Sequence, residues 1–164
     1  MTGSETPDPA VAVAATTGSA TVHVDASPAE VFALLTDLQR LPQLSPENDR
    51  CELLEGWSQL DVGARFRGHN KAGDYEWHAD CEVTVFDPDR EFTYVVPPSF
   101  EHATIWSYAI TPAPDGQGCS VTESFVAPLL ALPDIYPGKI EGRRDNLERA
   151  CETTMANLQA AFGD

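Results

Sequence analysis

Glu123 is the residue of this sequence best placed to do chemistry. It lies in Cys119 to Val126, where Cys119, Val121, Glu123 and Phe125 alternate with Ser120, Thr122 and Ser124. Every second side chain of a strand shares a face, which sets this carboxylate among apolar neighbours. Such a group must be paired, hydrogen-bonded or protonated, so it could bind a ligand hydroxyl or act as an acid or base. The alternative is a bulge that shifts the register and leaves Glu123 in solvent. One strand earlier, His102, Thr104, Trp106, Tyr108 and Ile110 oppose Ala103, Ile105, Ser107 and Ala109. With the large aromatic set inward, Tyr108 and His102 become the acid/base companions of Glu123.

The same alternation yields a ligand-contacting set. Ala64, Phe66, Gly68 and Asn70 form an apolar, small face opposite Arg65, Arg67 and His69. Trp77, Ala79, Cys81, Val83 and Val85 oppose His78, Asp80, Glu82 and Thr84. Phe66, Asn70, Trp77, Cys81, Tyr94 and Trp106 are therefore expected at the interior, with Glu47 at its mouth. Asn70 could donate and accept at a ligand carbonyl, or it could only cap the turn from Lys71 to Asp74. Glu47, after Ser45 and Pro46, either reaches the cavity or is an exposed loop carboxylate. The aromatic residues either line a pocket for a flat ligand or fill it. Arg65, Arg67 and His69 would meet an acidic substrate only with the register reversed; otherwise they form a solvated face.

Other chemistries find no support. The four histidines are scattered, and Cys51, Cys81, Cys119 and Cys151 show no metal-ligand spacing, so no metal site is read. The cysteines read as reduced, mostly buried thiols of a cytoplasmic protein. No Ser/His/Asp order or nucleotide-binding glycine loop stands out.

These residues need a sheet and something to cover it. Residues 1–18 mix Thr, Ser, Pro, Ala and Gly without apolar periodicity and are expected to be a disordered tail, with residues 19–164 as one domain. From Ala20 an alternating strand leads to a helix marked by Ser27 as N-cap, Pro28 in the first turn and Glu30 completing a capping box. Asp37 is expected to cap a second short helix through Leu41, stopped by Pro42 and Pro46. Six further strands follow, Cys51 to Trp57, Ala64 to Asn70, Tyr75 to Phe86, Glu91 to Val96, Ala103 to Ile110 and Cys119 to Val126, joined mostly by hairpin-length turns. From about Asp134 the period lengthens, and Leu147, Cys151, Thr154, Met155, Leu158 and Phe162 fall on one face of a long helix.

The chain has 164 residues, 42% of them hydrophobic, enough for one proper core. Its formal charge is −16, and Glu5 and Asp8 are the only charges in the first eighteen residues, so the acidity belongs to the folded body. Such a body repels phosphates, which disfavours nucleic acid and anionic membrane surfaces as partners. No apolar run approaches the ~20 residues of a membrane span.

A strand, two small helices, six antiparallel strands and a long terminal helix follow the order of the helix-grip fold. Val22 to Phe32 (VHVDASPAEVF), Leu44 to Glu47 (LSPE), Val62 to Asn70 (VGARFRGHN), Trp106 to Tyr108 (WSY) and Val121 to Glu123 (VTE) strengthen the match. With these in order, the chain from about Thr21 to Phe162 resembles the polyketide cyclase/dehydrase branch of the START/Bet v 1-like (SRPBCC) superfamily. Similar sequences often carry Trp in place of Leu44, in a loop that borders the cavity mouth in that fold. The resemblance implies an α+β helix-grip fold: a seven-stranded antiparallel sheet wrapped around a long C-terminal helix, with two small helices between the first two strands. It also implies a hydrophobic, aromatic or lipid-like ligand between sheet and helix, with no cofactor. The alternatives are an aromatic polyketide cyclase/dehydratase acting through Glu123, Tyr108, Asn70 and His102, and a stress-response regulator whose cleft grips a protein segment. Ligand identity and the choice between monomer and homodimer stay open.

Overall fold

The computed structural model describes residues 17–54, 56–96, 104–127 and 139–163. In chain order they form β1 (Thr17–Val24), α1 (Pro28–Leu35), a 3-10 turn (Leu41–Gln43), β2 (Asn48–Leu53), β3 (Arg65–Ala72), β4 (Tyr75–Asp87), β5 (Glu91–Val96), β6 (Thr104–Pro112), β7 (Cys119–Val126) and α2 (Lys139–Ala161). The strands make one seven-stranded antiparallel sheet in the order β1-β7-β6-β5-β4-β3-β2. β2 through β7 pair in sequence order, and β1 pairs with β7 at the end of the order.

Local chemistry starts α1 as expected. Ser27 Oγ accepts from the Glu30 amide at 3.1 Å, and the Glu30 carboxylate accepts from the Ser27 hydroxyl at 3.0 Å. Val31, Phe32, Leu34 and Leu35 are then buried. The second short helix differs from expectation. The Asp37 carboxylate accepts from the Gln39 amide at 3.0 Å, which closes a local turn, and the 3-10 turn begins only at Leu41 with Pro42 inside its first turn. β1 begins before Ala20: Thr17 and Gly18, assigned to the tail by composition, pair with Val126 and Phe125.

The sheet sorts its side chains as strand periodicity demands, apart from register shifts at the start of β2, between Asn48 and Arg50, and within β4. On the outer face Arg67 makes a bidentate pair with Asp80 at 2.6 and 3.1 Å, Arg65 meets Glu82 at 3.0 Å and His69 meets Glu52 at 2.9 Å. The Arg65, Arg67, His69 face is thus turned away from the core and paired. In β4 the register with β5 shifts between Val83 and Val85. An extra residue there exchanges the faces beyond it. Phe86, rather than Val85, faces the core and packs edge-on against Phe32 and Phe92 at ring distances of 5.1 and 6.3 Å.

α2 supplies the cover. Its 23 residues span about 35 Å at 1.5 Å per residue. Leu147, Cys151, Thr154, Met155 and Leu158 are buried along one stripe, which packs on β1 and β7. Two side-chain amides tie the helix to the chain beneath: Asn157 donates to the Leu44 carbonyl at 2.8 Å and Gln159 to the His23 carbonyl at 2.7 Å. Leu44 itself is buried in the core. Among the described residues, no helix is long and apolar enough to cross a membrane.

Candidate ligand site on the inner face

Two rows of cross-strand partners build the site. Phe86, Phe92, Tyr108, Glu123 and Ala20 stand side by side across β4, β5, β6, β7 and β1. One step along the strands lie Val83, Tyr94, Trp106, Phe125 and Gly18. Neither the β6–β7 nor the β1–β7 ladder contains a register shift. Glu123 therefore points inward and is 5% exposed.

Among the described residues, the polar groups of Tyr108, Cys151 and Tyr94 interact with it. The Glu123 carboxyl is hydrogen-bonded to the Tyr108 hydroxyl and to the Cys151 thiol from α2. Tyr108 is in turn hydrogen-bonded to Tyr94. Yet Glu123 Oε1 is buried without any hydrogen-bond partner among the described residues. Burial pushes the Glu123 carboxyl up to about 8, against the opposing pull of the bonds from Tyr108 and Cys151. Burial also raises both phenols well above their ordinary range, and for Tyr108 the Glu123 charge adds to it. The Cys151 thiol is raised by burial and then by Glu123. All four groups are therefore driven toward their neutral forms.

Flat aromatic surfaces frame this polar line. Phe92 stacks on Tyr108 with ring centroids 6.2 Å apart and planes within 9°. Tyr94 meets Phe66 edge-on at 5.1 Å and Phe92 at 5.5 Å, and Trp106 lies 5.6 Å from Phe125. Because α2 sits over β1 and β7, inner-face residues beyond it, Trp77, Ala79, Tyr94 and Trp106, are only half-buried.

The residues singled out by sequence separate into two groups. Glu123, Tyr108, Tyr94, Trp106 and Phe66 come together in this frame, and Cys81, the cross-strand partner of Phe66, is buried beside it. The Cys81 thiol is directed to the Ala79 carbonyl at 3.7 Å, and burial raises its pKa. Asn70 and Trp77 are partners of one another near the β3–β4 turn, with Asn48 across from Asn70. Four strand spacings separate Asn70 from Glu123 in the sheet order. Glu47 stands at this same end, where its carbonyl accepts from the Lys71 amide at 2.8 Å. His102 lies outside the described residues.

Two participants escaped the sequence reading. Cys151 was legible only as one more apolar position on the α2 stripe. At the other end, the Asn48 amide donates to Cys51 Sγ at 3.2 Å. That pair borders an open groove of about 450 Å³ lined also by Leu38, Pro42, Gln43 and Arg50.

A family model described as polyketide cyclase/dehydrase and lipid transport matches residues 15–163. The chain belongs to this family. No curated protein matches it in sequence. Among solved structures it is similar to the polyketide-cyclase-like protein of Corynebacterium glutamicum, with 26% identity and a TM-score of 0.62 over 88% of this chain and 89% of that one. A Nitrosomonas europaea protein shares the fold at 11% identity and a TM-score of 0.67, covering 90% of this chain and 94% of its own. The di-domain ARO/CYC BexL of the BE-7585A biosynthetic pathway shares it at 14% identity and a TM-score of 0.66, over 88% of this chain and 45% of that one. This member of the polyketide cyclase/dehydrase and lipid transport family thus has the helix-grip fold, with Glu123 and its partners on the sheet face that α2 grips.

Proposed function

We propose that this protein binds a hydrophobic, aromatic or lipid-like small molecule between the sheet and α2. The observation that carries this reading is the buried, unpartnered Glu123 Oε1 beside a stacked Phe92–Tyr108 wall. A fold gains nothing in stability from an unsatisfied buried oxygen, and such an atom suits a site completed by a ligand. The half-buried Tyr94 and Trp106 extend the apolar frame, as ligand pockets with a few convergent polar groups require. Phe66 and Cys81 adjoin them, while Asn70, Trp77 and Glu47 would contact only a ligand long enough to reach the far end of the sheet. We place this activity in the cytoplasm, which suits four unpaired thiols.

The test is a screen of flat apolar ligands read by Trp emission and by melting temperature. A ligand that binds only the folded state must raise the melting temperature with concentration. Saturable quenching with a matched rise supports the reading; a broad library without either would end it.

A second reading, cofactor-free aromatic cyclisation or dehydration, is favoured by one observation. A carboxyl held near 8 and hydrogen-bonded to a phenol can exist in both protonation states close to neutral pH, as general acid/base work demands. The likeness to BexL adds a fold-level analogy only. Turnover of a model poly-β-ketone, lost in Glu123→Gln, would distinguish an enzyme from a carrier.

A further inference from the structure

We propose that Glu123 sets the specificity of this site by selecting apolar molecules that carry a carbonyl oxygen, to which Oε1 donates a hydrogen bond. This rests on the binding function proposed above and assigns its ligand class. Tyr108 and Cys151 each bring one proton to the carboxyl, an O–H and an S–H. Because Oε1 has no partner, both bear on the other carboxyl oxygen. A proton carried by the carboxyl then belongs on Oε1, where no described residue accepts it. Burial of Tyr108 holds its proton in place as a donor to Glu123.

Burial favours that protonated form and outweighs the bonds from Tyr108 and Cys151, which oppose it. Tyr108 comes from β6, Tyr94 from β5 and Cys151 from α2, and β1 contributes Ala20. No cationic side chain among those that shift Glu123 holds it ionised, and burial keeps its proton to about 8. A hydrocarbon filling the same space would bury the same apolar area and leave the Oε1 donor unused. A ketone or quinone of that shape uses it. A site built around a hydrogen bond rejects the analogue lacking it far more strongly than a purely apolar pocket does.

The test uses the full chain and matched probe pairs, 1-acetylnaphthalene with 1-ethylnaphthalene and benzophenone with diphenylmethane, titrated calorimetrically near pH 6 and near pH 9.5. The ketones should bind roughly tenfold or more tightly than their hydrocarbons at the lower pH. That preference should fall to about threefold or less at the higher pH, as the donor is lost. Glu123→Gln keeps an N–H donor that does not titrate, so it should prefer ketones at both pH values. Glu123→Leu should lose the preference at both. Saturable but equal binding of ketone and hydrocarbon near pH 6 overturns the proposal and leaves the binding function standing. A ketone preference that survives in Glu123→Leu, or one in the native protein that does not change with pH, also overturns it. Absence of saturable binding for every probe ends the binding function and this proposal together. Should Glu123→Leu not fold, the contrast in pH dependence between the native protein and Glu123→Gln decides the matter.

Discussion

Tyr108 and Glu123 are direct cross-strand partners on β6 and β7, and their side chains are hydrogen-bonded on the buried face of the sheet. A phenol thus donates to a carboxyl that burial has driven toward its neutral form. The two effects oppose one another, and burial dominates.

Stability should therefore depend on Glu123 over a defined pH window. Its folded pKa, about 8, lies above the unfolded value of ~4.3, so between these limits the folded chain binds more protons than the unfolded one. Folding stability should fall as pH rises through that window, by up to about 1.4 kcal/mol per pH unit from this group, and level off above the folded pKa. Glu123→Gln removes the titration. Its stability relative to the native protein should grow from pH 5 to pH 8, as read by urea unfolding at a series of pH values. Parallel curves would show that Glu123 is solvated.

Tyr108→Phe keeps the stack on Phe92 and deletes the donor. Because the Tyr108 hydrogen bond lowers the Glu123 pKa, its loss should raise that pKa further. The variant should be destabilised by about 1–3 kcal/mol, since a buried acceptor loses its partner. Carbon-detected NMR titration of the Glu123 carboxyl measures the first effect, and denaturant unfolding the second.

Met155→Ala should weaken the grip of α2 on the sheet. Met155 is fully buried in the main core with Leu158. The cavity and the lost transfer energy together should cost about 2–5 kcal/mol by denaturant unfolding. Ala156→Ser, on the exposed side of the same helix turn, should change stability by less than about 0.5 kcal/mol.

Gly118→Ala should be costly despite its small size. Gly118 has φ +78°, and a Cβ there would collide with the Val24 carbonyl oxygen. Left-handed backbone alone costs an alanine about 1–2 kcal/mol, and the collision adds to it. The melting temperature should drop by several degrees, whereas Gly116→Ala meets no atom within 4 Å and pays only the backbone term at its φ of +75°.

Much of this architecture was legible in the sequence because its signals are local. The capping box at Ser27 and Glu30, the two-residue alternation of Cys119 to Val126 and the Leu147 to Leu158 stripe each depend on neighbours within a few positions. They determine a helix start and a buried helix face without reference to the rest of the chain, and they make Glu123 a candidate inward residue that the unshifted β6–β7 and β1–β7 ladders then place. Family membership was legible for the same reason, as an order of such signals. The exchange of Val85 for Phe86 was not, because a bulge is set by how β4 pairs with β5 rather than by the alternation within β4. Nor was the partition of the candidate residues. Asn70 and Glu123 each read as inward, but four strand spacings keep them apart, and that separation exists only once the strands are ordered. Cys151 shows the limit most clearly. Its sequence context marks it as one apolar position on a helix, and only the packing of α2 on β7 brings its thiol to Glu123, because periodicity within a helix does not encode which strand residue lies beneath it.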